Sequence, residues 1–152
     1  MELKKVSVKE KLVEDLKKAM KAREQLRLET IRMLITAIKN KEIEIGKELD
    51  DQLTGEVTAK AVKQRHEAAI QYRNAERHDL ADKEEAEAVL LSEYMPEQLN
   101  SDVLRDFARQ AIGESRAESI KDIGKVMKVL MPKVKGRADG GTVKKIVKEL
   151  LS

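Results

Sequence analysis

Apolar residues recur along this chain at three- and four-residue spacing with Lys and Glu between them, and no stretch sustains period-two alternation. Val8, Leu12, Leu16, Ala19 and Met20 make the first series. It follows Ser7-Val8-Lys9-Glu10, where Ser and Glu stand at capping-box spacing. Leu28, Ile31, Leu34, Ile35 and Ile38 make a second series over Gln25–Ile45. Neither Gly nor Pro separates the two, so the pattern allows one long helix or two with a bend near residue 23. Gly46 is the first stop. Asp50 and Asp51 then supply cap residues for a third helix, with Val57, Ala61, Gln64, Ala68, Tyr72 and Ala75 as its inner edge. Residues 74–79 read as a connection. A fourth helix over about residues 80–94 ends at Met95-Pro96, because Pro disfavours helical geometry in the residue before it.

Beyond Pro96 the helices shorten. Asn100-Ser101-Asp102 caps a helix carrying Val103, Leu104, Phe107, Ala108, Ala111 and Ile112, with Gly113 in the closing position. Residues 119–131 place Ile120, Ile123, Val126, Met127 and Leu130 on one face, and Pro132 is expected to end that helix. A last helix over about 142–151 buries Val143, Ile146, Val147 and Leu150. The expected fold is all-α: an N-terminal helical bundle over residues 1–95, then a smaller C-terminal helical subdomain over residues 96–152. No repeat of solenoid length is present.

Composition narrows the class. In 152 residues, 39% are charged and 41% hydrophobic, too apolar for a disordered chain and too charged for a membrane protein. There is no Cys, which excludes a thiol nucleophile, a disulfide framework and thiolate metal ligation. No apolar run is long enough to span a bilayer, and the first residues lack the pattern of a signal peptide, so the expected location is cytoplasmic. Net charge is only +3, but residues 1–45 carry a balance of +4, residues 46–120 one of −7, and residues 121–152 one of +6. A basic end after an acidic middle suits a polyanionic partner. Lys-rich helix faces that are merely solvated would give the same count.

Catalytic patterns are thin. His66 and His78 do not stand at metal-ligand spacing, and Asp82, Glu84, Glu85 and Glu87 form a routine acidic helix face. The six serines have no nucleophile-elbow or triad context. No catalytic residue, metal site or cofactor is assigned. Gly136 and Gly141-Thr142 superficially echo a nucleotide-binding loop, but the required Lys before the hydroxyl residue and the preceding strand are both missing. What remains is a cationic loop, Lys133-Val134-Lys135-Gly136-Arg137-Ala138-Asp139-Gly140-Gly141, leading into a helix N-terminus that would favour anions. Gly136 and Gly140 would permit positive φ and close approach of phosphate. The alternative is that the glycines only turn the chain between two packed helices.

Three stretches are similar to the YqeY proteins. Leu28-Glu29-Thr30-Ile31-Arg32-Met33-Leu34 with Ala37-Ile38-Lys39-Asn40 resembles their N-terminal part. Tyr94-Met95-Pro96-Glu97-Gln98-Leu99 resembles a mid-chain signature. Asp122-Ile123-Gly124-Lys125-Val126-Met127 and Met131-Pro132-Lys133-Val134-Lys135-Gly136-Arg137-Ala138-Asp139-Gly140 resemble the C-terminal one. The resemblance is to the GatB/YqeY family, whose domain also forms the C-terminal tail of the GatB component of the glutamine-dependent aspartyl/glutamyl-tRNA amidotransferase. It implies a two-part helical fold and an accessory role that holds tRNA. The family label of a carbon–nitrogen ligase with glutamine as amido-N-donor transfers to no residue here, since the matching region is the non-catalytic tail. The resemblance makes Lys125, Lys133, Lys135 and Arg137 phosphate contacts, extended by Lys144, Lys145 and Lys148. Gly136 and Gly140 shape the loop, and Asp139 caps the last helix or orients Arg137. A non-catalytic protein–protein interaction module is the second reading. An independent amidotransferase ranks last.

Overall fold

The computed structural model describes residues 6–152. Among these the chain forms seven α-helices and no strand. Helices α1 (Val8–Ala22), α2 (Gln25–Ile45), α3 (Asp51–Asn74) and α4 (His78–Ser92) form a bundle in a compact unit that ends at Pro96. Helices α5 (Ser101–Ser115), α6 (Ile123–Val134) and α7 (Gly140–Leu151), with a 3₁₀ turn over Ile120–Asp122, make the smaller unit that begins at Glu97. No helix among the described residues is long and apolar enough to cross a membrane.

In the first unit the caps do what their chemistry allows. The Ser7 hydroxyl accepts the Glu10 N–H at 3.1 Å, and the Asp50 carboxylate accepts that of Leu53 at 2.8 Å. α1 and α2 are separate helices. Arg23 takes a left-handed φ of 55°, and the Glu24 N–H closes back on the Ala19 carbonyl at 3.1 Å. Gly46, with φ 72°, ends α2 as expected. Leu12, Ile31, Leu34, Ile38, Leu49, Ala61, Val62, Ala88, Leu91 and Tyr94 form the core. The inner edge of α3 differs from the expected one. Thr54 and Thr58 are buried, while Gln64 and Ala75 are exposed. Each Thr hydroxyl donates to the carbonyl four residues back, at 2.7 and 2.9 Å, so its polar group is satisfied and it packs as a small residue.

In the second unit Leu104, Ala108, Ala111, Val126, Leu130, Val134, Val143, Ile146 and Val147 interlock as a core of small and branched side chains. Three local expectations change. Gly113 does not close α5; the helix continues to Ser115 and Arg116 closes it in a left-handed conformation, φ 57°. Pro132 does not end α6. Its missing N–H removes a single ladder bond close to the helix end, and the ladder still closes beyond it, from the Lys135 N–H to the Met131 carbonyl at 2.9 Å. Ile120 is 46% exposed rather than core, because the 3₁₀ turn that holds it precedes the amphipathic part of α6.

Candidate functional site

The cationic loop is built on a tight turn at the end of α6. Lys135 has φ −57° and ψ 128°, Gly136 has φ 82°, and the Arg137 N–H returns to the Val134 carbonyl at 2.8 Å. That is type II geometry, whose third position requires the positive φ that Gly adopts without steric cost. The Ala138 N–H reaches the same Val134 carbonyl at 3.1 Å, and an isolated bridge pairs Lys135 with Ala138. Gly140 does not share this role. It is the first residue of α7, its φ is not positive, and an added Cβ would meet only the Met131 methyl, at 3.9 Å.

Asp139 settles into the capping role. Its Oδ2 accepts the Thr142 N–H at 3.1 Å and the Thr142 hydroxyl at 3.3 Å. The N-terminus of α7 is thus served by a carboxylate from within the chain, which weakens the expected anion site there. Two neighbours hold the loop from the other side. The Gln98 side-chain amide donates to the Gly136 carbonyl at 2.9 Å, and the Leu99 N–H donates to the Arg137 carbonyl at 2.9 Å.

The candidate cations fall into three settings. On α6, Lys133 is held by both carboxylate oxygens of Glu114, at 3.0 and 3.1 Å. Lys125 is 3.7 Å from Asp122, with its side chain 68% exposed. Asp122 is held below the usual carboxylate range, first by the Glu118 N–H and then by Lys125. Lys125 and Lys133 stand about 12 Å apart along the helix, since each residue adds about 1.5 Å. In the loop, Lys135 is exposed and Arg137 half-buried. On α7, Lys144, Lys145 and Lys148 lie opposite the buried Val143, Ile146 and Val147, all three exposed and without an ion pair to another described residue. Sequence reading missed Gln98, Leu99 and Glu114. The mid-chain signature contains the first two, but no spacing rule brings residue 98 to residue 136.

The acidic candidates and His78 sit beside arginines. Glu84 and Glu87 face Arg65, whose Nε lies 3.7 and 3.1 Å from them. Burial, and then the Glu84 charge, pushes the Glu87 carboxyl up. His78 begins α4 and lies 3.4 Å from the Arg73 guanidinium, while His66 is exposed on α3. No group of three or more metal-ligating side chains exists among the described residues.

A family model described as "Yqey-like protein" matches residues 9–151. The chain belongs to the YqeY-like family. The protein named "Altered inheritance of mitochondria protein 41, mitochondrial" from Lachancea thermotolerans is 40% identical to this chain over 85 residues, 55% of this chain and 46% of that protein. Its namesake from Kluyveromyces lactis is 42% identical over 84 residues, 55% of this chain and 45% of that protein. That from Saccharomyces cerevisiae (strain YJM789) is 37% identical over 82 residues, 53% and 44% of the two chains. The YqeY-like chain therefore spans about half the length of the curated relatives it matches.

Proposed function

We propose that this YqeY-like chain is a tRNA-binding accessory domain that grips the phosphate backbone of folded RNA and contributes no chemistry of its own. The observation that carries the reading is the Lys144, Lys145 and Lys148 stripe. Three exposed cations on one face of a well-packed helix have no carboxylate partner among the described residues. Lys135 and Arg137 add charge from a type II turn in which Gly136 takes the position that needs positive φ. Such cations neutralise phosphates and position an RNA without reading its bases. The reading keeps the domain in the cytoplasm. Import of the tagged protein into mitochondria would transfer the same role to organellar tRNA.

The test is the salt dependence of tRNA binding, measured by fluorescence anisotropy. Each lost phosphate contact should reduce the log–log slope by about 0.7–0.9. Replacing Lys144, Lys145 and Lys148 by Ala should therefore flatten it by about 2.1–2.7, and the Lys135→Ala, Arg137→Ala pair by about 1.4–1.8, with helix content unchanged. If both variants keep the affinity and slope of the parent, the reading fails. Given glutamine, ATP and misacylated tRNA, the isolated chain should release no amidated product. Turnover above background would make it an enzyme after all. The Lys133–Glu114 pair favours the second reading, a non-catalytic protein-interaction module, because it spends one family cation inside the fold. A partner that survives RNase treatment in a pull-down, beside a chain that binds no tRNA, would select it.

A further inference from the structure

Two stretches separated by almost forty residues meet in the second unit, and neither contact belongs to a helix. The Gln98 Nε2 donates to the Gly136 carbonyl at 2.9 Å, and the next N–H along, from Leu99, donates to the next carbonyl along, Arg137, at 2.9 Å. Consecutive donors on one segment thus engage consecutive acceptors on the other. The acceptors are the carbonyls of the type II turn that carries Lys135 and Arg137. Within itself the turn is held by the bonds to Val134 and by the Lys135–Ala138 bridge, and Gly at its third position leaves it more conformational freedom than another residue would.

We infer that Gln98 is a positioning residue, which latches the 135–138 turn so that the Lys135 and Arg137 side chains are presented to phosphate in one arrangement. This rests on the tRNA-binding reading and adds a residue to it. Gln98 makes its contact through a neutral amide, so it contributes no charge to a phosphate. Its effect on binding would come from restricting the turn before RNA arrives, which lowers the ordering cost of the complex. A positioning residue and a contacting residue then leave different signatures. Losing a contacting cation flattens the salt slope. Losing the latch weakens binding equally at every salt concentration, because the same cations still displace the same counterions.

Gln98→Met keeps the length of the side chain and its neutrality while removing the donor. Gln98→Ala is the second variant, and circular dichroism with thermal melting shows that each is folded. The measurements are backbone amide shifts and hydrogen exchange at residues 135–138, together with tRNA affinity across a salt series. The expected result is faster exchange confined to the turn, tRNA binding weakened about three- to tenfold, and a slope equal to that of the parent. Unmoved turn amides overturn the inference, whatever the RNA does. So does a loosened turn with unchanged tRNA affinity, or a slope reduced as for Lys135→Ala. If the parent chain itself binds no tRNA, the tRNA reading falls and takes the presentation role with it. That outcome is distinguished from failure of the latch alone by the behaviour of the parent.

Discussion

Glu42 is a surface carboxylate with two donors on one oxygen. Its Oε2 accepts from Lys9 Nζ at 2.7 Å and from the Leu49 N–H at 2.9 Å, which joins α1 to the end of α2 and to the start of the α3 approach. Lys9 first, then the Leu49 N–H, holds its carboxyl below the usual range. A carboxyl with a folded-state pKa below its unfolded value adds stability that is fully present above the unfolded value and lost as pH falls through the folded one. Glu42→Gln should therefore lower the urea midpoint at about pH 7, and the gap from the parent should close in acid. A gap that persists unchanged at about pH 3 would assign the effect to shape rather than charge. Glu87 works in the opposite sense. Burial raises its pKa, so the folded state holds the proton more tightly, and its contribution to stability falls as pH rises through the range just above ordinary carboxylates. Glu114 gives a third residue-scale prediction, read through binding. If Lys133 can leave Glu114 for a phosphate, Glu114→Gln should tighten tRNA binding and steepen the salt slope by about 0.7–0.9. No change in either would mean that Lys133 contributes only to the α5–α6 contact.

At the scale of helices, the sequence was most legible where an end is chemically marked. Ser7, Gly46, Asp50 and Asn100 each sit where cap chemistry puts them. It was least legible where a helix closes on an ordinary residue. Arg23, Glu76 and Arg116 all take positive φ, at 55°, 58° and 57°, and each is followed by an N–H that bonds five residues back. Nothing in the identity of Arg or Glu announces a left-handed cap, since tertiary packing imposes it against a local cost. The same blindness misplaced the end of α5 at Gly113. Two glycines now make a paired prediction. At Gly55, inside α3, an added Cβ would lie 2.9 and 3.0 Å from the Cγ and Cδ of the Pro96 ring, a rigid group that cannot swing aside. Gly55→Ala should destabilise, because overpacking costs about 1–3 kcal/mol and the helix gain of about 1 kcal/mol offsets only part of it. At Gly113 an added Cβ meets nothing within 4 Å, and its φ is not positive. Gly113→Ala should stabilise by about 0.5–1 kcal/mol. Urea melts of both variants read the two signs directly, and a stabilised Gly55→Ala would show that Pro96 yields.

For the molecule as a whole, the loop residues and the α7 lysines were visible in sequence as a run of charge, but their partners were not. Lys133 is paired to Glu114 through a contact that only the fold creates, whereas Asp139 caps α7 by a local bond of the kind its place before the helix led one to expect. On the tRNA-binding reading, aromatic supply sets the kind of RNA that suits this chain. Tyr94 is 3% exposed with its hydroxyl donating to Asp15 at 2.6 Å, Phe107 packs against the core of the second unit, and Tyr72 is half-buried on α3. Three aromatics, none of them fully exposed, make a poor platform for stacking single-stranded bases, an interaction worth about 1–3 kcal/mol per base. On that reading, affinity comes from phosphate density and shape. Folded tRNAs of different sequence should bind within about threefold of one another, since phosphate contacts carry no base information. An unstructured single strand of equal length should bind more weakly and with a shallower slope, because its lower charge density releases about 0.7 rather than 0.9 counterions per contact. Competition of labelled tRNA with both unlabelled species measures this in one titration. A single strand that competes as well as tRNA would place recognition on bases.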